Sequence, residues 1–145
     1  MIKIVLFLII LAAIHAKLEI MIESKYGWAL RLPCWRLDNW FTNLLLGKEL
    51  TGYHFWMLTM FIFIFHSSFL FIDWTFKKEL LLLGLYFLYW IAEDLLWFIE
   101  SKYYGLRNFK KGHIFWHKRW LLGLPISYIW GIIIGTILLI LGGIK

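Results

Sequence analysis

Long apolar runs alternate along this chain with segments dense in charge and tryptophan. The first run opens IKIVLFLIILAAI and continues to about residue 23, striped by His15, Lys17, Glu19 and Glu23. A lysine ahead of an apolar run also describes a secretory leader, and Ala16 would suit its cleavage site. Ile14, two places earlier, does not, so the run is read as a spanning helix over 2–23. Three further runs predict helices over 52–72, 79–100 and 113–141. Each is near the ~20 residues that cross a bilayer. The stretch 26–50 is too polar to span. Trp28, Trp35 and Trp40 alternate there with Arg31, Arg36 and Lys48, and Pro33 divides it. It reads as an interfacial amphipathic segment at headgroup level. DWTFKKE makes a tight turn between the second and third helices. Pro125, inside the last run, either kinks that helix or marks where its spanning part begins. The expectation is an all-α integral membrane protein forming one domain: four transmembrane helices with an interfacial amphipathic segment between helices one and two.

Composition strengthens this picture. Of 145 residues, 62% are hydrophobic and 21% aromatic, against ~45–50% apolar in a soluble domain. The formal charge is +6, from 15 Lys and Arg against 9 Asp and Glu. A basic excess can serve nucleic acid, but among aromatic and apolar runs it points to a membrane surface instead. With four crossings, 11 Lys and Arg fall in or beside loops 24–51 and 101–118, and the other 4 (Lys3, Lys77, Lys78, Lys145) fall on the opposite side. The positive-inside rule then places both loops in the cytoplasm and both termini outside. The one cysteine, Cys34, excludes an internal disulfide framework. No CxxC pair, Gly-rich phosphate loop or GxSxG elbow is present, which removes thiol–zinc, P-loop and hydrolase-elbow chemistry.

Candidate chemistry comes from placing the polar residues by depth. His15, Glu19 and Glu23 form an i, i+4 stripe toward the cytoplasmic end of helix one. His54 opens helix two. Glu93, Asp94 and Glu100 lie in the cytoplasmic half of helix three. His113 and His117, four apart in KKGHIFWHKRW, would share a helical face. Four elements thus bring carboxylates and imidazoles to one depth. Ionisable groups there cost about 2.5–3.5 kcal/mol each on insertion scales, so they need partners. Imidazole with carboxylate suits zinc or iron first, and copper or manganese as well. Helix bundles build metal sites this way, although their two ExxH motifs are missing here. The expected metal ligands are Glu19, His54, Glu93, His113 and His117. His15, Glu23, Asp94 and Glu100 would be further ligands or would orient the imidazoles. Haem fits less well: the helices are crowded with Phe and Trp, and the carboxylates would go unexplained. His66 lies on the far half of helix two and is left out.

The pieces ESKYGWALRLPCWR, LTGYH, AEDLLWFIE and HIFWHKRW together resemble a small prokaryotic family of multi-pass membrane proteins. The resemblance spans Glu23 to Trp120. It implies a four-helix membrane protein and carries no activity or cofactor with it. The resulting expectation is a metal-binding polytopic membrane protein, and from it a metal-dependent oxidoreductase or hydrolase. Its substrate would be lipid-like or apolar, reached at the cytoplasmic leaflet. The alternative is a non-catalytic small subunit of a larger membrane complex, its acids held in ion pairs. A channel for protons or metal ions would need a polar path past His66, where the helices turn apolar. Expected partners are the lipid bilayer, an apolar small molecule, and further copies or other subunits, with no nucleic acid.

Overall fold

The computed structural model describes residues 2–144 and is mostly helical. Helix α1 covers Ile2–Glu23. The interfacial region contains strand β1 (Arg36–Leu37), the six-residue helix α2 (Trp40–Leu45) and strand β2 (Leu50–Thr51). Helix α3 covers Gly52–His66 and tightens into a 3-10 turn over Ser67–Leu70. Helix α4 covers Phe76–Glu100. Strands β3 (Trp120–Leu121) and β4 (Leu124–Pro125) lead into helix α5, Ile126–Leu141.

Local chemistry explains the boundaries. Thr75 caps α4 by accepting from the Lys78 N–H, so this helix starts three residues ahead of the expected 79. Asn39 and Thr42 form a reciprocal capping box on α2. Strand β1 pairs antiparallel with β2, Arg36 opposite Thr51, which folds the interfacial segment back onto the start of α3. The fourth expected helix, 113–141, is corrected: the helical part begins only at Ile126. Leu122 and Gly123 both have positive φ, 52° and 80°, and join β3 to β4 as a two-residue hairpin loop. Pro125 then fixes the N-cap, so it marks a start and not a kink. Residues 113–119 are not helical, and His113 sits in a turn.

Among the described residues, three helices are long and apolar enough to cross a membrane: α1, α3 with its 3-10 extension, and α4. Helix α5 has 16 residues. At ~1.5 Å per residue it is about 24 Å long, short of the ~30 Å hydrocarbon core.

Helix α4 is central and packs against α1 on one side and α5 on the other. Small residues allow the second contact. A Cβ on Gly84 would lie 2.9 Å from the Gly135 carbonyl oxygen, and one on Gly131 would lie 2.8 Å from Ile91. Ala12 and Ala16, fully buried, give α1 a similarly close face. Two apolar clusters form the core. Ala12, Phe61 and Tyr89 pack mid-bundle; Ala16, Trp97, Phe98, Ile114 and Trp116 pack beneath the loops. The polar residues of interest lie between and beside them.

Candidate metal centre

The i, i+4 spacing of α1 turns His15, Glu19 and Glu23 inward, and all three are buried. His15 stacks on Phe61 at 4.4 Å between centroids, and Trp90 meets it edge-on. Its Nδ1 lies 3.8 Å from Glu93 and its Nε2 lies 3.9 Å from Glu19. The Tyr89 hydroxyl is 3.2 Å from Nδ1. Glu93, on α4, is buried beside it.

His54 is placed by the cap of α3. Thr51 accepts the His54 backbone N–H, and its hydroxyl also meets the imidazole Nδ1 at 2.6 Å. That contact orients the ring, and Nε2 faces the Glu23 carboxylate, 3.5 Å away. A fixed second nitrogen of this kind is the usual support of a metal-ligating histidine. Trp28 stacks on His54 at 3.6 Å, and Lys48 Nζ lies 3.4 Å over the other part of this sandwich, the Trp28 ring. Trp28 and Ala29 both adopt left-handed backbone conformations, φ 44° and 50°, which non-glycine residues enter only when the surroundings impose it. Here Glu23 imposes it by accepting the Ala29 N–H.

The third part centres on Asp94 of α4. Tyr128 of α5 donates its hydroxyl to this carboxylate. His117 Nε2 lies 3.6 Å from it and Lys48 Nζ lies 3.9 Å from it. His117 reaches this position because its loop is tied down. The Lys118 N–H donates to the Gly47 carbonyl, and the Lys118 ammonium pairs with Asp38 at the surface. That contact holds the Asp38 carboxyl below its ordinary pKa. Gly47, in the left-handed region at φ 65°, turns the chain after α2 so that Lys48 points inward.

Lys48 and His117 carry the electrostatics outside the helices. Burial lowers the Lys48 ammonium pKa, while Asp94, Glu19, Glu23 and Glu93 pull it back up. Burial also lowers the His117 imidazole pKa, Lys48 adding to the effect and Asp94 opposing it. The balance favours the neutral imidazole, the form with a free lone pair.

Of the nine residues singled out from sequence, the structure brings seven together: His15, Glu19, Glu23, His54, Glu93, Asp94 and His117. His113 is exposed in its turn and stays outside. Glu100 instead pairs with Lys17 at 2.9 Å, two turns along α4 from Glu93. Lys48, Tyr53, Tyr128 and Trp28 were missed as site residues. Among the described residues, no set of three or more His, Cys, Asp or Glu side chains is gathered so as to hold a metal ion. The donors stand in pairs. His15 Nε2, Glu19 Oε1, Glu93 Oε1 and both His117 ring nitrogens are buried with no hydrogen-bond partner. Chemically, such an arrangement can take up a cation or protons, and nothing in it resembles a nucleophile–base–oxyanion constellation. Comparison with family models, curated proteins and solved structures gives no match.

Proposed function

We propose that the chain is a polytopic membrane protein whose buried His–carboxylate cluster binds a transition metal, zinc or iron first. The observation that carries the reading is the spacing of two buried His–carboxylate pairs. His54 and Glu23 stand 3.5 Å apart, and His117 and Asp94 stand 3.6 Å apart. Both distances exceed the ~2.7–3.2 Å usual for an N–H···O hydrogen bond. Two ligands at ~2.0–2.1 Å on a tetrahedral ion lie about 3.3–3.4 Å apart. Each pair is thus open by close to the width of a coordination edge. Binding would draw the two pairs onto one ion, with Lys48 yielding its place beside Asp94. His15, Glu19 and Glu93 would then be a neighbouring donor set. A zinc ion would supply hydroxide for hydrolysis, and iron would supply redox chemistry.

In this reading α5 is the fourth crossing, completed by its flanking residues, and loops 24–51 and 101–118 face the cytoplasm. Lys48, buried in the cluster, no longer counts toward that asymmetry. Ten Lys and Arg against 4 still favour it. The substrate is an apolar molecule from the bilayer, since the cluster lies beside lipid-facing helix.

One observation favours a second reading. Three buried imidazoles and Lys48 face four carboxylates, Glu19, Glu23, Glu93 and Asp94. Protons alone can balance that set, and the protein would then be a non-catalytic subunit with an internal ion-pair network. Titration of chelator-stripped protein with Zn²⁺ and Fe²⁺ separates the two. The metal reading expects saturable binding, lost in His54→Ala and in His117→Ala and kept in His113→Ala. Absence of saturable binding in folded native protein supports the ion-pair reading.

A further inference from the structure

A groove of about 680 Å³ opens beside the cluster, between the end of α1 and the start of α3. Ile22, Pro33, Cys34, Tyr53, Met57 and Met60 line it, and the segment 32–35 roofs it. Its size is ordinary for a small-molecule site. Its outer lip carries exposed Trp35, Trp56 and Met60, apolar side chains of an amphipathic kind found at membrane interfaces. Its inner wall is Tyr53. That ring meets His54 edge-on at 5.0 Å, and the phenol hydroxyl lies beside Glu19. The hydroxyl is buried and has no hydrogen-bond partner. One face of Tyr53 therefore looks onto an apolar groove open to lipid, and its polar tip reaches the cluster.

We propose that this groove holds the hydrocarbon chain of a neutral single-chain lipid from the bilayer, with an alcohol, aldehyde or quinone oxygen at the Tyr53 hydroxyl. The proposal rests on the reading of the cluster as a reaction centre and names its substrate class. The helices that flank the groove, α1 and α3, carry exposed apolar Ile14, Met21 and Phe63, so the lip opens toward the bilayer. The head group follows from charge. Glu19, Glu23 and Glu93 stand behind Tyr53, and they disfavour a carboxylate or phosphate. An ammonium would lose its hydration to reach an apolar groove. A neutral oxygen satisfies the orphaned phenol without either cost.

The test uses full-length protein in bilayer nanodiscs. Three photoreactive probes of equal chain length are compared, ending in an alcohol, a carboxylate and an amine. Each is run on chelator-treated and zinc-loaded protein, and adducts are mapped by peptide mass spectrometry. The expected result is adducts concentrated several-fold on Ile22, Cys34 and Tyr53–Met60 over the exposed face of α5, with the alcohol strongest. Cys34→Trp, and independently Met57→Trp, fill the groove and abolish that enrichment while zinc content is unchanged. Uniform labelling of all lipid-facing helices overturns the proposal, as does labelling by the carboxylate or the amine equal to the alcohol. Enriched labelling in protein that binds no metal would leave the groove standing and remove the metal centre. Bound metal with uniform labelling would do the reverse.

Discussion

Replacing Lys48 by methionine removes the one ammonium buried among four carboxylates and keeps the length of the side chain. Lys48 Nζ and Asp94 Oδ1 are 3.9 Å apart, worth about 4 kcal/mol at an effective dielectric of 20. Breaking a buried pair from one side costs about 3–5 kcal/mol. Asp94 keeps its hydrogen bond from Tyr128, so the lower end applies, about 3 kcal/mol. The loss of the Lys48–Trp28 contact falls within that figure. If metal and Lys48 compete for Asp94, a metal ion can replace the missing charge. Unfolding of native and Lys48→Met protein in detergent is followed twice, with chelator and with saturating Zn²⁺. The variant is expected to lose about 3 kcal/mol in chelator and to gain more from zinc than the native chain does. Equal stability of the two in chelator would refute the electrostatic reasoning. A zinc gain larger in native protein would refute the competition between metal and Lys48.

Three further outcomes follow from the geometry. Tyr128→Phe removes the O–H that Asp94 accepts and should cost about 1.5–3 kcal/mol in detergent unfolding, the range for hydrogen bonds to charged groups. Gly84→Ala pushes a methyl to 2.9 Å from the Gly135 carbonyl oxygen; overpacking of about 1–3 kcal/mol should separate α4 from α5, read as faster exchange of α5 amides. His66 pairs with Glu79 at 2.9 Å at the far end of α3, so His66→Ala should lower stability and leave zinc affinity unchanged in calorimetry.

The sequence carried the long apolar helices and much of the buried polar cluster because both depend on short-range periodicity. The first helix, 2–23, matches α1 residue for residue, since an uninterrupted apolar run has one helical solution. His15, Glu19 and Glu23 share a face for the same reason, and the structure buries that face against α4. His113 failed because i, i+4 spacing has meaning only inside a helix. Positive φ at Leu122 and Gly123, followed by Pro125, stops α5 from reaching back that far. Glu100 is two turns from Glu93 on α4, and there Lys17 of α1 takes it. Lys48 looked like a headgroup charge among other basic residues. What turns it inward is the β1–β2 pairing and Gly47, both set by contacts the local pattern does not contain. Tyr128 sits 34 residues from Asp94 inside an apolar run. Its role comes from how closely glycine lets α5 approach α4, which no spacing announces.

Elemental analysis of the intact protein, purified in detergent without chelator, bears most directly on the metal centre. Native protein is expected to carry zinc or iron in stoichiometric amount, and a His54→Ala/His117→Ala double variant of equal helicity is expected to carry none. Well-folded native protein without metal, even after incubation with Zn²⁺ and Fe²⁺, would contradict it.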